Sequence, residues 1–155
     1  METMTLFRFL KFLAISPFHI CFSYGIGSSK IMCLEIERQT LVKFKHDLKD
    51  PSNRLSSWAV IDCCQWTGVV CDNFTGHVHE IHLRYPYCHP DSPFESYGFK
   101  AYSRLKLGGR ISSSSLDLKH LRHLDLSCND FGGIQMPSFI DSLMYLNLSG
   151  AGFSV

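Results

Sequence analysis

The sequence has almost no net charge, no cysteine pair at Cys-x-x-Cys spacing and, past its first thirty residues, no apolar run of membrane-spanning length. Each absence excludes something. The 15 Lys and Arg nearly cancel the 14 Asp and Glu, which leaves no electrostatic case for nucleic acid or an anionic membrane surface. A bilayer core of about 30 Å needs about 20 consecutive apolar residues. The apolar stretch Phe12–Phe22 is shorter and is interrupted by Pro17 and His19. Adjacent Cys63 and Cys64 lack the spacing that lets two sulfurs reach one zinc ion. Cys128 and His123 could form a nucleophile–base pair, but nothing nearby would hold an oxyanion. The sequence points to no enzyme, no metal and no cofactor.

What is present begins with seven cysteines, a high number for 155 residues. Such use suits an oxidising compartment if the chain is exported. Arg8 and Lys11, the short apolar run and the small residues through Ser28 read as a secretory signal peptide over residues 1–27. Its removal would take Cys21 and leave six cysteines.

The chain is organised around a repeat. Leu118, Leu121, Leu124, Leu126, Asn129 and Phe131 recur 22 positions later as Ile140, Leu143, Leu146, Leu148, Ala151 and Phe153. A period between about 20 and 29 residues with this spacing marks leucine-rich repeats. Leu-x-Leu puts two side chains on one face of a short strand, and the units share a core by stacking. The amide of Asn129 is expected to satisfy buried backbone groups that would each cost roughly 1–3 kcal/mol unpaired. The second unit carries Ala151 at that place and reaches Leu146 early. It is therefore expected to form poorly.

Upstream, Leu34–Leu48 reads as a helix, with Glu35 and Glu37 in its first turn and Leu41, Phe44 and Leu48 on one face. Pro51 ends it. Trp58 and Trp66 flank the paired cysteines, the mark of a small subdomain held by disulfides. Cys33, "LSSW" at Leu55–Trp58 and "CCQWTGVVC" at Cys63–Cys71 together resemble the N-terminal cap of plant extracellular leucine-rich-repeat proteins. "GHVHEIHL" at Gly76–Leu83 resembles the first strand of that cap, and Leu107–Ile140 is similar to the first full repeat of receptor-like proteins in the xylanase-receptor and Cf-type defence group.

The resemblance implies an α/β fold: the start of a leucine-rich-repeat solenoid behind a disulfide-stapled helical cap. The cap spans residues 28–83, an inserted loop residues 84–104, and the repeats residues 105–155. It implies pairing of Cys33 with Cys63 and Cys64 with Cys71, a choice among three that the sequence alone leaves open. It also implies a non-catalytic ectodomain that binds an extracellular peptide, protein or glycan and signals through receptor-kinase co-receptors. Such a protein sits at the outer face of the plasma membrane, or in the apoplast if it has no span. A chain of one good repeat and one doubtful copy is expected to be a truncated part of such a protein. A secreted inhibitor resembling polygalacturonase inhibitors, or a small decoy, is the rival reading.

The surface candidates follow from strand alternation. Glu80 and His82, then Arg122, His123, Asp125 and Ser127, are expected on the outer, concave face by which solenoids bind partners. His77, His79 and His82, with Cys88 and His89 nearby, invite a metal reading, but their spacing fixes no third ligand. Asn73-Phe-Thr75 and Asn147-Leu-Ser149 match the glycosylation pattern. Asn73 is expected in an exposed turn. Asn147 is expected on a strand of the concave face, where a glycan would obstruct a ligand.

Overall fold

The computed structural model describes residues 31–88, 104–111, 118–135 and 142–154. The expected signal peptide and most of the expected insertion, residues 89–103, lie outside these. The order is α1 (Glu35–Asp47), β1 (Leu48–Lys49), a 3-10 turn at Cys63–Gln65, β2 (Val69–Cys71), β3 (Val78–His82), β4 (Gly108–Gly109), β5 (His123–Asp125), β6 (Ile134–Gln135), β7 (Tyr145–Asn147) and β8 (Phe153–Ser154).

Helix α1 starts where Glu35 and Glu37 suit the positive end of the helix dipole. Arg38 and Gln39 donate to the Glu35 carboxylate and hold its pKa down at about 2. The helix buries Leu41 and Phe44 completely. It ends at Asp47, before the turn at Pro51, because Leu48 and Lys49 leave to pair antiparallel with Gly109 and Gly108. Gly109 holds φ at +98°, and a Cβ there would run into the Asp47 carbonyl. Gly109→Ala is therefore expected to cost at least about 1–3 kcal/mol of stability, the usual strain of a side chain at positive φ. An unchanged urea midpoint would refute it.

The cap core is aromatic. Phe44, Trp58 and Trp66 form a run, with Trp58 and Trp66 stacked at 5.1 Å between centroids. Each indole N–H finds a backbone oxygen, Trp58 on Thr67 and Trp66 on Val60, so both rings are buried without leaving a polar atom unpaired. The Cys33–Cys63 and Cys64–Cys71 disulfides close the cap, with Cα separations of 5.3 and 5.4 Å. These are the pairings that the resemblance implies. A third disulfide, Cys88–Cys128, joins the chain after β3 to the first repeat.

One sheet runs β2-β3-β5-β7. Strand β2 lies antiparallel to β3, and β3, β5 and β7 are parallel, with Ile81, Leu124 and Leu146 in register. Past β3 the chain stays beside the repeat, since Leu83 and Tyr85 donate to the carbonyls of Asp125 and Ser127. A second small sheet pairs β6 with β8.

Residues 136–141 of the second unit lie outside the described residues, and residues 142–154 continue the repeat. They keep both strands in register, and the backbone ladder continues from Leu126 to Phe131, whose N–H groups reach the carbonyls of Asn147 and Ala151. Ala151 is fully buried where asparagine stood one unit earlier. The ladder needs only backbone groups, and Ala151 N–H itself satisfies the Leu148 carbonyl. No helix among the described residues is long and apolar enough to cross a membrane.

Candidate functional site

The outward side chains of β3, β5 and β7 form two rows across the sheet. One row is Glu80, His123 and Tyr145; the other is His82, Asp125 and Asn147. Parallel strands about 4.8 Å apart bring such neighbours within stacking distance. The His82 and His123 rings lie 4.6 Å apart, and His123 stacks on Tyr145 at 4.0 Å with 19° between planes. Nε2 of His82 is hydrogen-bonded to Glu80 at 2.7 Å, with both side chains about two-fifths exposed. Arg122, exposed at the start of β5, places one guanidinium nitrogen 3.7 Å from the Met144 sulfur.

Ser127 departs from its expected place on this face. It is 1% exposed, turned inward, with its hydroxyl donating to Asp125 Oδ1 at 2.6 Å. The strand ends at Asp125, and the chain then turns into Cys128, whose φ is +63°. Strand alternation therefore does not reach Ser127. Tyr145, by contrast, completes the ring ladder and was absent from the sequence-derived candidates. Its position one period after His123 would have revealed it had the second unit been read as formed.

Among the described residues, which exclude His89, the histidines are not gathered into a three-ligand cluster. His77 turns the other way, with Nδ1 2.8 Å from buried Glu37 and its ring stacked on His120. The one potential three-ligand cluster among the described residues is Cys33, Cys63 and Cys71, whose sulfurs are all in disulfides. Cys128 likewise has no free thiol, which removes it as a nucleophile.

Beneath this face lies a polar spine that positions it. Asn129, 1% exposed, donates to the carbonyls of Leu83, Leu126 and Ser127 and accepts from Leu107 N–H. Arg54 of the cap extends the spine. Its guanidinium donates to Asn129 Oδ1 and to the carbonyls of Leu83 and Arg84. Burial pushes the Arg54 pKa down, opposed by Asp50 and by the Tyr85 side chain. Arg54 thus fills, in the cap, the place that asparagine fills in the repeat. Nothing in the local spacing marks it, because its partners are 29 to 75 residues away.

The family model for the leucine rich repeat N-terminal domain matches residues 34–72. Two tomato (Solanum lycopersicum) proteins, receptor-like protein EIX1 and receptor-like protein EIX2, are 41% and 40% identical to this chain over 85% of its length. The chain belongs to the plant leucine-rich-repeat receptor-like proteins. It spans 13% of the length of each of these two receptor-like proteins. Among solved structures, a chain of the Arabidopsis thaliana BIR3–SERK2 complex superposes with a TM-score of 0.52 at 30% identity. The match covers 72% of this receptor-like chain and 54% of that one.

Proposed function

We propose that this chain is the non-catalytic, extracellular recognition end of a receptor-like protein. Its concave strip of Glu80, His82, Arg122, His123, Asp125 and Tyr145 would form the first part of a surface for a peptide, protein or glycan. The carrying observation is the ring ladder across β3, β5 and β7, an outward-facing array on a frame stiffened by disulfides and by the Asn129 spine. A frame that fixes such side chains before binding lowers the ordering cost of association. In the BIR3–SERK2 structure, one such chain assembles with another protein. A co-receptor partner for the longer protein is proposed by analogy.

Residues 1–27 would direct export. Asn73, in an exposed turn, is the favoured glycosylation site. Asn147 lies in β7 with its Oδ1 accepting from Ser149 N–H, and a glycan on its Nδ2 would stand in the strip. The strip is tested by placing a photo-crosslinking residue at position 145 of the full-length receptor-like protein, and at Val42 on helix α1 as control. Crosslinks to a secreted partner are expected from position 145 and not from position 42. Equal labelling from both would refute concave-face recognition.

A further inference from the structure

Away from the concave sheet the chain pairs again through short strands. Strand β4 pairs with β1 of the cap and β6 with β8, and these two small sheets do not join. The chain segments touch at one point, where Asp130 N–H bonds to the Leu107 carbonyl. Gly108 lies so close there that a Cβ would run into the Asp130 carbonyl. Between β4 and β6 lies an open cleft of about 760 Å³. Gly132 forms part of its wall, and a Cβ there would meet nothing within 4 Å. None of the lining comes from β3, β5 or β7, so the cleft is separate from the concave strip.

The charges around the cleft are unevenly committed. Lys49, Arg104, Lys106 and Arg110 line it, together with Asp50 and Asp130. Asp50 spends both carboxylate oxygens on the N–H groups of Arg54 and Leu55, and Asp130 accepts from Gly132 N–H. Among the described residues the ion pairs all lie elsewhere, and none uses a cation of the cleft. Lys106 has an aromatic neighbour instead, its Nζ 5.9 Å from the centre of the Tyr85 ring. Like charges around one opening repel each other, and the protein walls focus their field on whatever enters. Four cations against two carboxylates suit a ligand that carries more than one negative charge. Pro51, Phe131 and Ile134 also line the cleft and give it apolar surface. A bare phosphate or sulfate would leave that surface unused. An acidic sugar chain uses both, with its C–H faces on the apolar residues and its carboxylates at the cations. Arg104 and Arg110 can each clasp a carboxylate through two parallel hydrogen bonds. We propose that this cleft binds an oligosaccharide of uronic acid residues.

The test is calorimetric binding of a galacturonic acid tetramer to the full chain. Its methyl-esterified form, which keeps the sugar rings and loses the charge, is the paired probe. We expect the ester to bind at least about tenfold more weakly than the acid, and the acid to weaken as salt rises. Lys49→Gln combined with Arg110→Gln should weaken the acid by at least about tenfold, since charge-assisted hydrogen bonds are lost. Both side chains are exposed, so this double variant should keep the urea midpoint of the parent. Lys43→Gln, exposed on α1 and outside the cleft, should bind as the parent does. Equal binding of acid and ester, or a double variant that binds as tightly as the parent, would overturn the site. A glutamate-rich hexapeptide or inorganic sulfate binding as tightly as the tetramer would overturn the preference for sugar, and the proposal with it. The crosslink from position 145 reads the concave strip, and its success or failure is independent of these results.

Discussion

Asn129→Leu is expected to lower stability by on the order of 4 kcal/mol, read as a fall in the urea midpoint. Leucine fills the space but offers no polar atom. The carbonyl of Leu126 and the N–H of Leu107 would then be buried without their partner, and the Leu83 carbonyl would keep only Arg54. Each such group costs roughly 1–3 kcal/mol. The Arg54 guanidinium would also lose one acceptor. Against a total stability of about 5–15 kcal/mol for an ordinary domain, a loss of this size threatens folding itself. Arg54→Met removes the same junction from the cap side. The two changes share an atom pair, so their combined loss should fall short of the sum of the separate losses. A loss under about 1 kcal/mol for Asn129→Leu would mean that water replaces the amide, against the burial seen here.

Removing Cys88 and Cys128 together should lower stability by up to about 4 kcal/mol, because that bond closes the longest of the three loops. The sequence separations are 40, 30 and 7 residues for Cys88–Cys128, Cys33–Cys63 and Cys64–Cys71. Loop-closure entropy then gives roughly 3.9, 3.7 and 2.5 kcal/mol in that order. For a chain of this size about 1 kcal/mol moves the melting temperature by about 2–4 °C, so the first loss corresponds to roughly 8–16 °C. Paired Cys→Ala variants followed by thermal melting check the ranking. If the Cys64–Cys71 variant lost the most, local packing rather than loop closure would be controlling.

The parts of this fold that were legible in the sequence are those encoded by short-range spacing. Leu118, Leu121, Leu124 and Leu126 recur because strand and turn geometry repeats over a few residues, and all four are buried as the spacing requires. Trp58 and Trp66 announced a compact cap through their composition. What escaped was long-range or angular. The Arg54–Asn129 contact joins residues 75 apart. The Cys88–Cys128 bond depends on how the chain after β3 lies against the repeat. Ser127 looks like a surface residue on alternation alone, and only the backbone turn at Cys128 carries it inside. Of the candidate site, Glu80, His82, Arg122, His123 and Asp125 could be placed from strand phase. The stacking that joins them to Tyr145 could not, because it is set by the register between strands.

Chains of near-identical units face a problem of counting, since any unit has roughly the right shape to dock on the first surface formed. Here the cap can tell the units apart. Arg54 presents a guanidinium that needs an oxygen, and the first repeat brings Asn129 to meet it. A misfolded chain that looped out the first repeat and docked the second would set Ala151 opposite Arg54. The methyl group would leave a desolvated cation with one acceptor fewer, a penalty of several kcal/mol. The Arg54–Asn129 pair is thus a contact that Ala151 could not make in its place.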